Sequence, residues 1–267
     1  MVPYKEAVRV HENLIFDQIG HVAILRIDRE SKLGALSSGL VKALGEQCSA
    51  IRQNPAIRSV VLTGTGRGFI AGADLEEYFQ STPEFFAEYQ RNSRRVFDDL
   101  ERLPQPVVAA VNGYAFGGGF EIALCCDFIV ASTDAKFGLP EIKLGLLPGG
   151  GGTQRLSRSV GLRWAKEVIM TGRTVTAGEA HSVGLVQSTH QGPELLPAAI
   201  GLAQKLAGQA PQALREAKRL LNDGFTNELG AALTLEQEAL SRLYQSADGQ
   251  EGILAFHEKR PPTFGGR

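Results

Sequence analysis

The chain has 267 residues, 43% of them hydrophobic, with 28 Lys and Arg against 29 Asp and Glu for a formal net charge of −1. That length suits one large domain, or one domain with an appendage, and the near-neutral charge argues against a nucleic-acid or anionic-membrane partner. Three cysteines, Cys48, Cys125 and Cys126, are too few and too odd in number for a disulfide framework, and the five histidines show no zinc-type spacing. The opening MVPYKEAVRV carries no apolar signal core, and no stretch reaches membrane-spanning length. These features read as a cytoplasmic protein without a membrane or metal partner.

In chain order, Leu14–Gln18 and Val22–Ile27 (VAILRI) read as strands, with Gly20 at the turn between them. Asp28–Ala35 is a polar loop. Ser37 is placed to cap a helix over Gly39–Arg52, whose Leu40, Leu44 and Cys48 recur at helical spacing, and Asn54-Pro55 ends it. Ser59–Leu62 is a second buried strand that runs into the glycine-rich loop Thr63–Asp74, TGTGRGFIAGAD. Its glycine spacing does not match a dinucleotide fingerprint and no clean helix follows, so nucleotide binding is set aside. A long helix spans Glu84–Leu103 and ends at Pro104 and Pro106. Val107–Val111 and Phe128–Ala131 are strands that flank a short helix from Glu121 to Cys126. Thr153 is a candidate cap for a helix through Leu156. Thr176 and Glu179 have capping-box spacing at the start of another helix, and Leu185–Ser188 is a last strand. Beyond Pro193 the strand signal stops. Leu195–Leu206, Pro211–Leu221 and Asn227–Tyr244 read as helices, and the tail EKRPPTFGGR as extended. The expected division is therefore an α/β core over 1–194 and a helical region over 195–267.

Chemistry concentrates in Phe116–Glu141. Gly117, Gly118 and Gly119 precede an apolar run that carries Glu121, and Glu141 follows a proline twenty positions later. Consecutive glycines are costly to order and suit a backbone that must approach something closely. Free N–H groups at a turn that opens a helix attract negative charge. Anion-seeking donors beside two carboxylates make an acid–base site. Taken alone, the same residues also fit a loose turn, a glutamate favoured by the helix dipole and a surface glutamate.

The wider context resembles the crotonase (enoyl-CoA hydratase/isomerase) family. The resemblance rests on FIAGADL (Phe69–Leu75), PVVAAVNGYAFGGGFEIALCCD (Pro106–Asp127), FGLPEIKLGLLPGGGGTQRL (Phe137–Leu156), Met170-Thr171-Gly172 with Gly184-Leu185-Val186, and Glu251-Gly252 with Glu258-Lys259-Arg260. It runs from about Leu14 to Phe264. It implies an α/β spiral of repeated ββα units with two sheets, and a C-terminal helical region that packs as homotrimers, usually paired into homohexamers. It implies oxyanion donors at the backbone N–H of Ala73 and Gly118, and two catalytic glutamates, Glu121 activating water and Glu141 protonating C2. Gly149 matches a position whose N–H helps hold that water. Ala71, Asp74 and Leu75 fall in the substrate-binding segment. Lys32 lies in the segment that approaches the CoA phosphates, although SKLGAL stands where the family has a KALNAL-type pattern. Lys259 matches a lysine that in some members reaches a neighbouring subunit's CoA. No cofactor is implied, coenzyme A being part of the acyl-CoA substrate. The activity implied is addition of water across the C2–C3 bond of a 2-enoyl-CoA. The alternative is a specialised dehydratase or isomerase of the same fold, of the carnitinyl-CoA dehydratase kind. RNA binding, known for a few members, is disfavoured by the charge and by the lack of a basic–aromatic stripe.

Overall fold

A computed structural model of the chain describes residues 7–79 and 81–266. Strands β1 (Val8–His11), β2 (Leu14–Ile19) and β3 (Val22–Ile27) form an antiparallel meander. Helix α1 (Ser38–Gln53) follows, with Ser37 Oγ accepting the Leu40 N–H at 3.3 Å as its cap.

A ββα unit then repeats. Strands β4 (Ser59–Gly64) and β5 (Gly68–Ile70) lead to helices α2 (Leu75–Phe79) and α3 (Pro83–Glu101). Strands β6 (Val107–Val111) and β7 (Tyr114–Phe116) lead to α4 (Gly118–Cys125). Strands β8 (Phe128–Ser132) and β9 (Lys136–Gly138) lead through a 3-10 turn, Pro140–Leu144, to α5 (Gly152–Val160) and α6 (Leu162–Thr171). The first strand of each unit enters a seven-stranded sheet and the second a four-stranded one. Strand β10 (Val175–Thr176) then closes the small sheet, in the order β10-β9-β7-β5. After helix α7 (Ala177–Ser182), strand β11 (Ser188–His190) completes the large sheet, in the order β1-β2-β3-β4-β6-β8-β11. The α/β spiral of ββα units is therefore the fold.

Strand alternation decides which face each apolar run serves. Val60, Leu62, Val107, Ala109 and Val111 join the main core with α1, α3, α4 and the small sheet, whereas Val61, Val108, Ala110 and Val130 point the other way. That second face is covered by α8 (Gly192–Ala207), whose Leu195, Ala199, Ala203 and Ala207 recur every four residues and bring the helix close to the strands. Ser59 Oγ donates to Ala203 O at 2.8 Å. The expected division at 194/195 thus falls inside a helix that packs on the sheet.

Helices α9 (Pro211–Gly224), α10 (Leu229–Gln245) and α11 (Ala247–His257) follow. They bury few of their own side chains. Leu221, Phe225, Leu229, Leu240 and Phe256 are all at least two-thirds exposed. One tie to the core is an ion pair between Lys218 Nζ and Asp127 Oδ2 at 2.7 Å.

Four expectations change. The Thr63–Asp74 stretch contains β5, because Gly64 and Gly68 allow backbone contact that a Cβ would block. The central helix begins at Gly118, three residues before Glu121, since Gly117, at φ 50, makes the turn. Thr153 lies within α5, whose cap is Gly151 at φ 107. Leu185 and Val186 return their N–H groups to Ala180 O at the end of α7, so the last strand starts only at Ser188. Helix α11 is an addition to the three C-terminal helices expected. Among the described residues, no helix is long and apolar enough to cross a membrane.

Candidate active site

The two glycine turns come together because both lack side chains. Gly72, at φ 116, and Gly117, at φ 50, adopt backbone conformations that L-residues rarely take. A Cβ on Gly117 would sit 3.7 Å from Gly72 Cα, and one on Gly72 would sit 3.4 Å from Phe116 O. A Cβ on Gly119 would overlap Ile70 O, so α4 lies directly against β5. Residues 33–36 brace the first turn: Ala71 N–H donates to Leu33 O at 3.0 Å, Leu36 N–H to Gly72 O at 2.8 Å and Asp74 N–H to Leu36 O at 2.9 Å. This pattern uses the Ala71 and Asp74 N–H groups and the Gly72 carbonyl. Among the described residues, neither the Ala73 N–H nor the Gly118 N–H donates to a protein acceptor. Both residues line a cavity of about 750 Å³.

Glu121 and Glu141 line the same cavity. Glu121, on the first turn of α4, is buried, and its Oε1 accepts the Gly152 N–H at 2.8 Å. Burial raises its pKa; hydrogen bonds from the Gly152 and Gly150 amides oppose that rise. The glycine run is needed here as well, because a Cβ on Gly150 would lie 2.7 Å from Glu121 Oε2. Glu141, in the 3-10 turn after Pro140, is held differently. Its Oε2 is buried without a partner among the described residues, and burial, with the Glu121 charge adding to it, pushes its pKa up to about 7. Gly117 leaves room for it: a Cβ there would be 3.1 Å from Glu141 Oε1.

The third glycine cluster is anchored by Arg155 of α5. Its Nη1 donates to Gly150 O at 2.7 Å, and its Nη2 pairs with Asp98 Oδ1 at 2.8 Å and Glu101 Oε2 at 2.7 Å, both on α3. Sequence reasoning placed Arg155 only within a helix. Its position one turn after a glycine run, on the element that presents amides to Glu121, was the available signal.

Ala71, Leu75 and Gly149 also line the cavity, whereas Lys32, Asp74 and Lys259 do not. Lys32 Nζ pairs with Glu76 at 2.6 Å on the surface. Asp74 is buried, pairs with Arg29 at 2.7 Å and accepts the Glu76 N–H at 3.1 Å, which fixes the start of α2. Lys259 follows α11 with φ 56. The remaining wall contains Tyr78, Phe86, Tyr89, Gln90, Ser93 and Phe97, mostly from α3. Among the described residues, no three His, Cys, Asp or Glu side chains gather as a metal site would require.

Preorganised amide pairs beside two carboxyls suit chemistry in which negative charge develops on a carbonyl oxygen while protons move at its neighbours. Known proteins with this sequence pattern agree. A family profile described as Enoyl-CoA hydratase/isomerase matches residues 18–267, and the chain belongs to that family. A crotonyl-CoA hydratase from Syntrophomonas wolfei is 37% identical over 256 residues, covering 95% of this chain and 98% of its own. A short-chain-enoyl-CoA hydratase from Clostridium acetobutylicum is 39% identical over 249 residues, covering 93% and 95%. The crystal structure of an enoyl-CoA hydratase from Bacillus anthracis superposes with a TM-score of 0.94 at 39% identity, covering 96% of this chain and all of that one.

Proposed function

We propose that the protein is an enoyl-CoA hydratase of the two-glutamate kind, which adds water across the C2–C3 bond of a 2-enoyl-CoA to give a 3-hydroxyacyl-CoA, a reaction of fatty-acid breakdown. The observation that carries the reading is the pair of carboxyls that line one cavity together with two residues whose amides have no protein acceptor. The thioester oxygen sits between the Ala73 and Gly118 N–H groups, which stabilise the enolate as it forms; losing one such donor costs roughly 3 kcal/mol in other enzymes. Glu121, whose pKa burial raises while the Gly152 and Gly150 amides oppose the rise, takes a proton from water as its oxygen bonds to C3. Glu141, half protonated near pH 7, delivers its proton to C2. The proton on Glu121 then returns to Glu141 as product leaves, and the cycle closes with one water consumed. The Gly149 amide helps hold the water. Lys32 and Lys259 serve the CoA phosphates, Lys259 from a neighbouring subunit.

The exposed apolar side chains of α9–α11 support a homotrimer or homohexamer, with residues beyond α8 as the assembly region. The reduced thiols and near-neutral charge suit a cytoplasmic enzyme. Loss of the enoyl-thioester absorbance of crotonyl-CoA in the presence of the purified protein tests the activity; no turnover of crotonyl-CoA or longer enoyl-CoAs would end the reading. Light scattering should give a mass of about three or six chains, and a stable monomer at micromolar concentration would exclude the assembly.

A further inference from the structure

Part of the cavity wall is built from side chains that neither the proton transfers nor oxyanion binding uses. Gln90 of α3 donates its Nε2 to the Tyr78 hydroxyl of α2 at 2.9 Å. Tyr78 is held edge-on by Phe86 and Tyr89, with ring centroids 5.1 Å and 5.3 Å away, and the Tyr89 hydroxyl donates to Leu36 O at 3.1 Å. The other side of the Gln90 carboxamide abuts the glycine loop, since a Cβ on Gly149 would lie 2.5 Å from Gln90 Oε1. Side chains of α2 and α3 and the loop at Gly149 thus form one continuous bar, braced by aromatic rings.

The wall's charge is one-sided. Glu121 and Glu141 line the cavity, and among the described residues no Lys, Arg or His does so. The nearby guanidinium groups of Arg94 and Arg155 are committed to Asp98 and Glu101. A further carboxylate placed beside two carboxyls without a cation would be both desolvated and repelled.

We propose that the Tyr78–Gln90 bar, with the cation-free wall around it, sets acyl specificity, admitting short uncharged acyl chains and rejecting long chains and chains that end in a carboxylate. The proposal rests on the hydratase reading and names its substrate class. The bar acts as a steric stop, because a hydrogen-bonded and ring-braced pair yields less readily than a lone flexible side chain.

The experiment compares kcat/KM for crotonyl-CoA, 2-decenoyl-CoA and an enoyl-CoA with a terminal carboxylate, using the full chain. Wild type should favour crotonyl-CoA by about tenfold or more over each of the others, the scale of a pocket-fit difference. Gln90→Ala should raise the decenoyl-to-crotonyl ratio by about tenfold, and Tyr78→Phe, which keeps the ring and breaks the hydrogen bond, by a smaller factor in the same direction. Gln90→Arg should raise the ratio of carboxylated substrate to crotonyl-CoA. Thermal melting confirms that each variant is folded. A wild-type preference for either disfavoured substrate, or an unchanged ratio in folded Gln90→Ala, overturns the proposal. If no enoyl-CoA turns over, the hydratase reading fails by itself, and calorimetric binding of butyryl-CoA against decanoyl-CoA in wild type and Gln90→Ala then decides the bar: tighter butyryl-CoA binding that the variant relaxes supports it, and an equal preference in both overturns it.

Discussion

The turn that carries Glu121 and the turn that carries Glu141 offer the same functional group to one cavity with different hydrogen-bond partners. Glu121 lies on the first turn of α4, beside two amides of the glycine loop, and accepts from one of them at 2.8 Å. Glu141 sits in a 3-10 turn, and its inner oxygen has no partner among the described residues. Burial raises both pKa values; the Gly152 and Gly150 amides oppose the rise at Glu121, and only Glu141's own backbone amide does so at Glu141. The proposed division into a base and an acid thus rests on which backbone amides each carboxyl meets, with no cation touching either.

The sharpest way to break this contrast is to remove each carboxyl separately. Glu121→Gln and Glu141→Gln should each lower kcat on crotonyl-CoA by about a hundredfold or more, and the double variant should lose far less than the product of the two. Retention of activity by Glu121→Gln alone would point to a one-base isomerase. Proton demand separates the pair further. Hydration needs Glu141 protonated, so kcat should fall about tenfold per pH unit above a midpoint near 7, and a flat profile between pH 6 and 9 would remove Glu141 as the donor.

A smaller effect follows from loosening only one side of the comparison. Arg155→Met frees the Gly150 carbonyl and leaves Asp98 and Glu101 with one cation fewer. We expect about a tenfold loss in kcat with little change in KM, because the amides facing Glu121 lose their support while the rest of the cavity stays intact. Turnover equal to wild type would show that the glycine loop holds itself.

The smallest effect is on stability. The Glu141 pKa is raised on folding, from an ordinary 4.5 to about 7. Below pH 4.5 the carboxyl is neutral in both folded and unfolded chains. As pH rises toward 7 the unfolded chain ionises first, so stability is lost across that window and falls no further above it. Glu141→Gln removes the loss, and should gain roughly 1–3 kcal/mol at pH 8 relative to its effect at pH 4, read from denaturant midpoints at the two pH values. An identical increment at both would place the group in a solvated setting.

Much of the scaffold was legible because its signals are local. The Ser37 cap, the Thr176–Glu179 capping box and the apolar runs at Val22, Ser59 and Val107 each set their own element through neighbours within a few residues. The three-residue strands β5, β7 and β9 were not legible, since so short a segment carries no periodicity and each is a strand only because a neighbouring unit supplies a partner. Gly151 and not Thr153 caps α5 because the loop must turn through φ 107 to aim the Gly152 amide at Glu121, a demand made by a residue thirty-one positions away.

The same division runs through the site. Three glycine clusters and two glutamates are written in the chain, and their chemical type alone points to anion-stabilising acid–base work. That Asp74 is tied to Arg29 and Lys32 to Glu76, while the Ala73 amide is left without a protein acceptor, depended on how residues 29–36 pack against the first glycine turn. Residue type determines which interactions a side chain can make. Which partner it meets, and how much water is left around it, is settled largely by chain segments distant in sequence, as the Gly152 amide on Glu121 illustrates.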